Sequence, residues 1–588
     1  MKNKKGYLSF VLHTHLPYLL SHGTWPHGVE WLNEASAECY IPLLKTFSAL
    51  KDKRTEYPLL TLGLTPVLQE QLRDKRFKES FNNYLLQKIN SAKEDELFFD
   101  KTNDPKQKTA KYWYNYYSEI KRIFEEDYNK DLLEGFAKLQ DEGAIEIITC
   151  CATHGYLPLL GTDNSVNAQI AIGRDTYKRN LKTDPKGIWL PECAYRPKYH
   201  WKYPTGSYGS IDRRGVEEYL SYNGIRYFII DTALLKGGKS MGVYIDRFQA
   251  LKQLWKQFEK SYKVPNIKER NPYMPYIVES QNGNRTISDE IVSIFTRDEK
   301  TGLQVWSGEW GYPGNPVYLD FHKKHFPGGH RYWRVTDAKI DLALKEEYDL
   351  ELIDRIVNQQ ADHFTSLAYS ILSDNFENNK FPGIITAPYD TELLGHWWFE
   401  GPKWLKRVLE ILTESTDIGH ISCGEYMKKY PPYRVVDIPE GSWGEGNFHY
   451  IWFNEWTKWT WDHIYRLEHQ MVKWANKLTE TNFTPDDNFM RILRQAGREL
   501  LLLESSDWQF LISTWSARDY AEQRFTNHCE SASLLFRFLD EYYQKGELGD
   551  GAWAKITYLE ERDNLFPDLD PSYWSDKKAR VLQSITTI

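Results

Sequence analysis

Seven short apolar runs between residues 7 and 387 constrain the fold of this chain more than any other feature. Apolar residues are continuous in each run rather than alternating, which is typical of parallel strands covered on both faces. The segments between the runs have helical patterns, and strand–helix alternation predicts an α/β fold, an incomplete (β/α)7 barrel. The runs are Tyr7–His13, Leu59–Leu64, Ala144–Cys150, Gly187–Leu190, Ile225–Asp231, Ile291–Arg297 and Gly383–Ala387.

Ionisable side chains stand at the end of nearly every run. In a β/α barrel the loops that follow the strands converge on one pocket, so these side chains predict an active site. For any one of them alone, an ordinary solvent-facing residue at a strand end is the simpler interpretation. The residues are His13, His15, His154, Glu192, Asp231, Arg297, Asp298 and Asp390.

The chain divides by composition into three predicted parts. Residues 1–68 and 144–408 form the barrel, and the Lys-, Glu- and Tyr-rich segment 69–143 forms an inserted helical subdomain. Residues 409–588 form a C-terminal helical domain, where long helical patterns replace the strand runs. Trp452, Trp456 and Trp459 recur there at helical spacing, and we interpret most of that stripe as core.

Composition excludes several classes of protein. The net charge of −8 does not suggest a nucleic-acid partner. There is no signal peptide and no run of 18 apolar residues, so we expect no membrane association. The six cysteines show no CxxC spacing, which indicates reduced thiols and a cytoplasmic protein. The 22 Trp and 39 Tyr point weakly to carbohydrate, since aromatic rings stack on the apolar faces of sugars.

Two carboxylates at different strand ends, among tryptophans, suit glycoside chemistry. Glu192 follows Pro191 after the fourth run, and Asp390 follows Pro388 after the seventh. A retaining enzyme places two such groups roughly 5–5.5 Å apart, one attacking the anomeric carbon and one protonating the leaving oxygen. Retention leaves the sugar covalently bound to the enzyme. Water then releases it as a free sugar, or a hydroxyl of a second sugar accepts it and the enzyme is a transferase.

A metal-dependent hydrolase is the alternative from the residues alone. His13-Thr-His15 at the end of the first strand is a metal-hydrolase pattern, and His154 with Asp390 could complete a zinc site. That interpretation leaves Glu192 without a role and the tryptophans unexplained. Sugar hydroxyls also need hydrogen-bond partners, which the same histidines supply without metal.

Several ordered motifs resemble those of the family 57 glycoside hydrolases, and within them the 1,4-α-glucan branching enzymes. The resemblance covers nearly the whole chain. The matching stretches are His13–Tyr18, Gly23–Pro26, Ala152–Leu160, Trp189–Pro197, Gly302–Ser307, Gly311–Gly314, Ala387–Pro402 and Ser505–Trp508. Motifs of this length are specific for the family and less specific for the activity within it.

The resemblance implies a nucleophile, Glu192, and a general acid/base, Asp390. It also implies a (β/α)7 barrel, an inserted helical domain and a C-terminal helical domain, with no metal and no cofactor. The substrate is α-1,4-glucan, which would be cleaved and transferred to a 6-hydroxyl, and the protein would be a monomer or small homo-oligomer. The residues expected to contact glucan are His13, His15, Trp25, His154, Trp306, Trp443, Trp452 and Asp507.

One departure from the family pattern concerns a loop tyrosine. Branching members carry a flexible loop with a tyrosine at its tip, and here that region reads Lys239-Ser-Met-Gly-Val-Tyr244. Tyr244 is the candidate for that residue and is included among the substrate contacts. If it does not shield the intermediate, the chain is an α-amylase-type hydrolase or a 4-α-glucanotransferase on the same site. A non-catalytic glucan-binding relative is a further alternative, which the presence of both Glu192 and Asp390 disfavours.

Overall fold

The computed structural model describes residues 4–53, 57–236, 269–278, 291–308 and 310–581. All seven predicted apolar runs contain strands, because their continuous apolar side chains are buried on both faces of one sheet. The strands of the described residues are β1 (Gly6–Thr14), β2 (Thr61–Leu64), β3 (Glu146–Cys150), β4 (Gly187–Trp189), β5 (Tyr199–Lys202), β6 (Ser210–Arg213), β7 (Tyr227–Ile230), β8 (Tyr276–Val278), β9 (Ser293–Thr296), β10 (Gly383–Asp390), β11 (Ile418–His420) and β12 (Val435–Val436).

Seven parallel strands form a curved central sheet in the order β10-β1-β2-β3-β4-β7-β9. Strand β1 is central, since it pairs with β2 on one side and with β10 on the other, and all nine of its residues are buried. Just past β9, the main-chain N–H of Asp298 donates to the carbonyl of Thr386 in β10 at 2.9 Å. This contact brings the two ends of the sheet together and confirms the α/β fold with an incomplete seven-stranded barrel.

Helices follow the strands and cover the outside of the sheet. Gly173 shows how closely they pack: a Cβ atom at this helical position would lie 2.3 Å from the carbonyl oxygen of Cys150 in β3. The α-helices of the described residues are α1 (Val29–Ala35), α2 (Ile41–Leu50), α3 (Pro66–Arg73), α4 (Lys75–Lys101), α5 (Gln107–Arg122), α6 (Leu132–Asp141), α7 (Asp163–Leu181), α8 (Val216–Tyr222), α9 (Thr232–Lys236), α10 (Glu299–Trp306), α11 (Ile353–Asn379), α12 (Gly401–Glu414), α13 (Cys423–Lys429), α14 (Lys458–Lys477), α15 (Asp487–Leu503), α16 (Asp507–Thr514), α17 (Arg518–Lys545), α18 (Asp550–Arg562) and α19 (Asp576–Ala579).

The predicted inserted segment 69–143 is helical, with α4, α5 and α6 as its main elements. Asp74 begins α4 as an N-cap that accepts a hydrogen bond from the main-chain N–H of Arg76. Strand β11 lies beyond residue 408, yet it pairs with β1 of the barrel. The exact division of the chain into domains therefore stays a prediction.

The C-terminal helices pack against the barrel and reach its strand ends. The turn between α15 and α16 pairs with the loop after β3: Ser505 bridges Gly155, and the N–H of Ser506 donates to the carbonyl of His154 at 3.1 Å. A second attachment lies at the N-terminal loop, where His22 Nε2 and Asp563 Oδ1 are 2.5 Å apart in a buried pair. These contacts place the start of α16 at the carboxyl ends of the barrel strands.

Among the helices of the described residues, none is long and apolar enough to cross a membrane.

Candidate active site

Glu192 lies in the turn just past β4, in a left-handed backbone conformation. Its φ and ψ are 59° and 26°, a region that costs a residue with a Cβ atom roughly 1–2 kcal/mol. His154, in the loop after β3, also has a positive φ of 62°. Strained backbone that the surrounding structure holds in place is typical of functional sites. Both residues belong to loops that the sequence predicted as parts of the site.

Two hydrogen bonds hold the carboxyl group of Glu192. Trp443 Nε1 donates to Glu192 Oε2 at 2.8 Å, and Ser506 Oγ donates to Glu192 Oε1 at 3.3 Å. The main-chain N–H of Trp443 also donates to the Glu192 carbonyl at 3.1 Å. The side chain is 15% exposed, so the protein does not cover it completely. The carboxyl group is thus held at both oxygens on a side chain that a ligand can reach.

The pKa of Glu192 is raised to about 8 in the absence of substrate. Burial is the main cause, because it disfavours the charged form. The Trp443 hydrogen bond opposes burial, while the negative charges of Asp390 and Asp507 add to it. Asp390 is therefore close enough to Glu192 for the two charges to interact, as a shared site requires.

Asp390 ends β10 directly beside His13 of β1, its partner in the parallel register. His13 Nε2 lies 3.0 Å from His154 Nε2, and His154 Nδ1 lies 3.8 Å from Glu192 Oε1. A row of neighbouring side chains thus connects the ends of β1, β3 and β4, and Asp390 of β10 lies in register beside it. The structure brings together the two predicted catalytic carboxylates and the predicted histidines.

The three histidines form a stack of rings beside these carboxylates. The ring centroids of His15 and His154 are 4.0 Å apart, and those of His13 and His154 are 5.0 Å apart. Trp189 packs on the other side of His13, with a centroid distance of 4.8 Å. Burial lowers the pKa of His13 and of His154 well below the usual range, and the neighbouring imidazoles lower both further. These two rings are therefore neutral near pH 7.

The hydrogen bonds of this row fix the direction of its protons. When Glu192 is ionised, Ser506 Oγ donates to its carboxylate and therefore accepts from His154 Nδ1 at 2.8 Å. A neutral His154 then carries its proton on Nδ1, and its Nε2 must accept from His13 Nε2. That assignment leaves His13 Nδ1 as a buried acceptor without a partner among the described residues. A hydroxyl group of a ligand could donate to this atom.

Asp507, at the first position of α16, anchors His15. Its carboxylate oxygens lie 3.0 and 3.2 Å from His15 Nε2, and Ser505 Oγ donates to the same carboxylate at 2.5 Å. Burial alone would raise the pKa of Asp507, but the interaction with His15 and the hydrogen bond from Ser505 outweigh it and lower the pKa to about 2. Asp507 is therefore ionised at neutral pH and holds the His15 ring in place.

Tryptophans form one wall next to Glu192. Trp443 meets Trp189 edge to face at 4.9 Å and Trp306 at 5.8 Å. The guanidinium of Arg297 lies over both Trp306 and Trp443, at 5.8 and 5.9 Å from their ring centroids. Trp306 and Trp443 are 5% and 7% exposed, so their rings are packed against each other and little of either surface is open to a ligand.

The other predicted contacts occupy different surroundings. Trp452 is 1% exposed and stacks on Tyr156 at 4.4 Å, which places it in the packed layer behind the site. Trp25 is 70% exposed on the loop between β1 and α1. Tyr244 lies outside the described residues. The glucan-contacting roles of these residues stay predictions.

Sequence reasoning did not include three residues that belong to this site, Trp189, Ser506 and Glu392. Trp189 and Ser506 lie inside motifs that the sequence had singled out. Glu392, two residues beyond Asp390, accepts a hydrogen bond from Tyr40 at 2.6 Å and from the N–H of His15 at 3.3 Å. Burial raises its pKa to about 7. Position within the quoted motifs was the available signal for all three.

The described residues include one metal-compatible grouping in this site, which differs from the set considered for zinc. His15, His154 and Asp507 offer ligand atoms within 4.8 Å of one another, and Asp390 is not among them. Each of these atoms has a hydrogen-bond partner within the site. Binding a metal would therefore require His15 and Asp507 to give up their mutual contact.

Two family models match the chain. The model described as glycosyl hydrolase family 57 matches residues 9–439. The model described as the C-terminal region of 1,4-alpha-glucan branching enzyme matches residues 463–574.

Two branching enzymes are similar over nearly the whole length of this chain. The 1,4-alpha-glucan branching enzyme TK1436 of Thermococcus kodakarensis is 40% identical over 96% of this chain and 77% of its own length. Its crystal structure matches with a TM-score of 0.86, 39% identity and coverage of 97% and 96%. The branching enzyme of Pyrococcus horikoshii matches with a TM-score of 0.84, 38% identity and 97% coverage of each chain.

An enzyme that is named for a different activity is also similar. The alpha-amylase AmyC of Thermotoga maritima is 28% identical, with a TM-score of 0.77 and coverage of 97% of this chain and 99% of its own. The barrel, the paired carboxylates and these matches agree: the chain belongs to glycosyl hydrolase family 57, and its C-terminal region is that of a 1,4-alpha-glucan branching enzyme.

Proposed function

We propose that Glu192 is the nucleophile and Asp390 the general acid/base of a retaining α-glucan branching reaction. The chain is a family 57 branching enzyme that forms α-1,6 branches in α-glucan. The observation that carries the residue assignment is the environment of Glu192. Its carboxyl group accepts hydrogen bonds from Trp443 and Ser506, its side chain is partly exposed, and its pKa is raised by the charge of Asp390.

The first half of the reaction breaks an α-1,4 bond. Asp390 donates a proton to the glycosidic oxygen as that bond breaks, and the Glu192 carboxylate forms an ester bond to the anomeric carbon. In the second half Asp390, now ionised, takes the proton from a 6-hydroxyl of another glucan segment. That oxygen displaces Glu192 and forms the α-1,6 bond. Atoms and protons balance, and no cofactor is consumed.

Glu192 must be ionised to attack, so its raised pKa sets a requirement on the site. The hydrogen bonds from Trp443 and Ser506 stabilise the carboxylate form, because both donate to its oxygens. A developing positive charge on the sugar ring favours the same form in the transition state. We therefore expect catalysis to depend on these two donors as well as on the carboxyl group itself.

The histidine stack supports binding of the sugar that is attacked. His13 and His154 are neutral, so they act as hydrogen-bonding groups toward hydroxyls rather than as cations. His13 Nδ1 is a buried acceptor without a partner among the residues that the structure describes, and a sugar hydroxyl would supply the missing donor. His15 is held by Asp507, which orients its ring against His154.

An α-amylase-type hydrolase is the second candidate, favoured by the similarity to AmyC. The two activities share the glycosyl-enzyme and differ in whether water or a sugar hydroxyl resolves it. The Trp189, Trp306 and Trp443 wall supports the transferase, since packed indole rings exclude water from the ester bond. Tyr244 is the loop residue proposed to complete that shielding.

Incubation of the purified protein with amylose tests the proposal. A branching enzyme increases the number of α-1,6 linkages, measured as chains released by a debranching enzyme, with few new reducing ends. A hydrolase produces reducing ends without branches. Binding without any product would contradict catalysis, and loss of activity with a chelator would support the metal alternative.

The location and assembly of the protein are part of the same proposal. All six cysteines are buried free thiols, which fits a reducing compartment, and we propose the cytoplasm. We expect a monomer or small homo-oligomer, to be measured by light scattering.

A further inference from the structure

We infer that Trp515 and Trp456 form a second glucan-binding platform outside the catalytic pocket. The inference rests on the proposed function, because the occupant is a further stretch of the same α-1,4-glucan chain. The platform is defined as the indole rings of these two residues. Their centroids lie 5.3 Å apart and their planes are inclined by 44°, which gives a shallow angled surface.

Trp515 has two properties that are unusual for a tryptophan. Its side chain is 55% exposed. Its backbone has φ 58° and ψ 21° at the end of α16, a left-handed position that glycine usually takes at helix ends. A bulky residue at such a position costs the fold about 1 kcal/mol or more, and an exposed indole gains little packing in return. Binding of a ligand to the indole ring would explain both the left-handed backbone and the exposure of Trp515.

The platform is rigidly built rather than a pair of loose side chains. The buried side chain of Asn454 donates to Ser513 Oγ at 2.9 Å and accepts from the N–H of Trp456 at 2.9 Å. These bonds tie the loop that carries Trp456 to the last turn of α16. The guanidinium of Arg518 lies 5.8 Å from the Trp515 ring centroid and is held by Glu522 at 2.8 Å. The two rings therefore keep their relative position before a ligand arrives.

Helix α16 connects the platform to the catalytic site. Its first residue, Asp507, holds His15, and its last residue, Thr514, precedes Trp515. Eight residues at 1.5 Å each place the platform about 12 Å along the helix axis from the site. A linear glucan that leaves the pocket could span this distance, whereas a single sugar could not.

The chemistry of the surface fits a neutral polysaccharide. Indole faces stack on the apolar faces of glucose rings. Ser516 lies next to Trp515 in the chain and is exposed, so its hydroxyl group can exchange hydrogen bonds with sugar hydroxyls. A second copy of this protein is the alternative occupant of an exposed aromatic pair, and the experiment separates the two.

The test compares Trp515→Gly with wild type on long amylose and on a short maltooligosaccharide. Glycine suits the left-handed position, so this variant removes the indole without straining the helix end. Tyr433→Ala is the matched control, because Tyr433 is an aromatic residue with 66% exposure elsewhere on the surface. We expect KM for long amylose to rise about fivefold in Trp515→Gly, with a smaller change for the short substrate. Trp456→Ala should give the same pattern, and Tyr433→Ala should not.

The outcomes distinguish this inference from the proposed function. If wild type acts on no glucan, the proposed function fails. If wild type is active and Trp515→Gly matches it in KM on both substrates, the platform does not exist. A change of oligomeric state in Trp515→Gly, seen by light scattering, would instead assign the surface to self-association and overturn the inference. The melting temperature of Trp515→Gly should equal or exceed that of wild type, which excludes misfolding as the cause of a raised KM.

Discussion

Replacing Trp443 with phenylalanine should move the pH dependence of catalysis. Trp443→Phe keeps an aromatic ring between Trp189 and Trp306 but removes the Nε1–H that donates to Glu192 at 2.8 Å. This hydrogen bond opposes the effect of burial on the pKa of Glu192. Without it, the ionised form of Glu192 loses a stabilising partner, and the pKa rises above its wild-type value of about 8.

The size of the shift follows from the strength of the hydrogen bond. A hydrogen bond to a charged group contributes about 1.5–3 kcal/mol, and about 1.4 kcal/mol corresponds to one pKa unit. The pKa of Glu192 should therefore rise by about one to two units. Below the pKa, the ionised fraction falls tenfold per unit, so kcat/KM at pH 7 should fall about 10-fold to 100-fold. Activity should recover as the pH is raised.

The assay measures kcat/KM for branch formation on amylose, from pH 6 up to the highest pH at which the protein stays folded. The increase of kcat/KM with pH should occur at a higher pH in Trp443→Phe than in wild type. Trp306→Phe is the matched control, since Trp306 Nε1 donates to the carbonyl of Pro388 at 3.3 Å and not to Glu192. If kcat/KM rises over the same pH range in Trp443→Phe as in wild type, the reasoning is refuted. It is also refuted if kcat/KM falls by the same factor at every pH.

Three further substitutions test the site. Glu192→Gln should reduce turnover by at least about 10³-fold. Because the folded state raises the pKa of Glu192, its charge costs stability progressively as the pH rises from its unfolded pKa of about 4.3 toward 8. Glu192→Gln should therefore melt at a higher temperature than wild type above neutral pH and at a similar temperature near pH 4. Asp390→Asn should reduce turnover similarly. A substrate with an activated leaving group should still form the glycosyl-enzyme without an acid, and azide, which needs no general base, should then displace Glu192; absence of a glycosyl azide product would contradict the role of Asp390. Asp507→Asn should lower kcat about tenfold by weakening the bond that orients His15, and unchanged kinetics would remove Asp507 from the site.

The barrel and its acidic residues could be predicted because the relevant signals are local. Continuous apolar runs mark buried parallel strands, and a carboxylate directly after such a run must lie near the carboxyl end of a strand. Glu192 and Asp390 were found in this way. Strand order and the contact between Asp298 and Thr386 could not be predicted, since they depend on pairing between distant segments.

The groups that tune Glu192 could not be predicted from the residues alone. Ser506 is 314 residues away in the chain, and Trp443 is 251 residues away. Their positions depend on how the C-terminal helices pack on the barrel, which no local pattern encodes. The same holds for Trp456 and Trp515: helical spacing indicated core for Trp456, whereas packing leaves it partly exposed beside Trp515.

The turn between α15 and α16 has a consequence for how small an active version of this protein can be. The region that matches the family 57 model ends at residue 439, before Trp443, Ser506 and Asp507. A truncated barrel would retain both carboxylates, yet Glu192 would lose both of its side-chain donors and His15 its anchor. The smallest catalytic unit of this chain therefore extends through α16, and the helices beyond the barrel cannot be exchanged as an independent module.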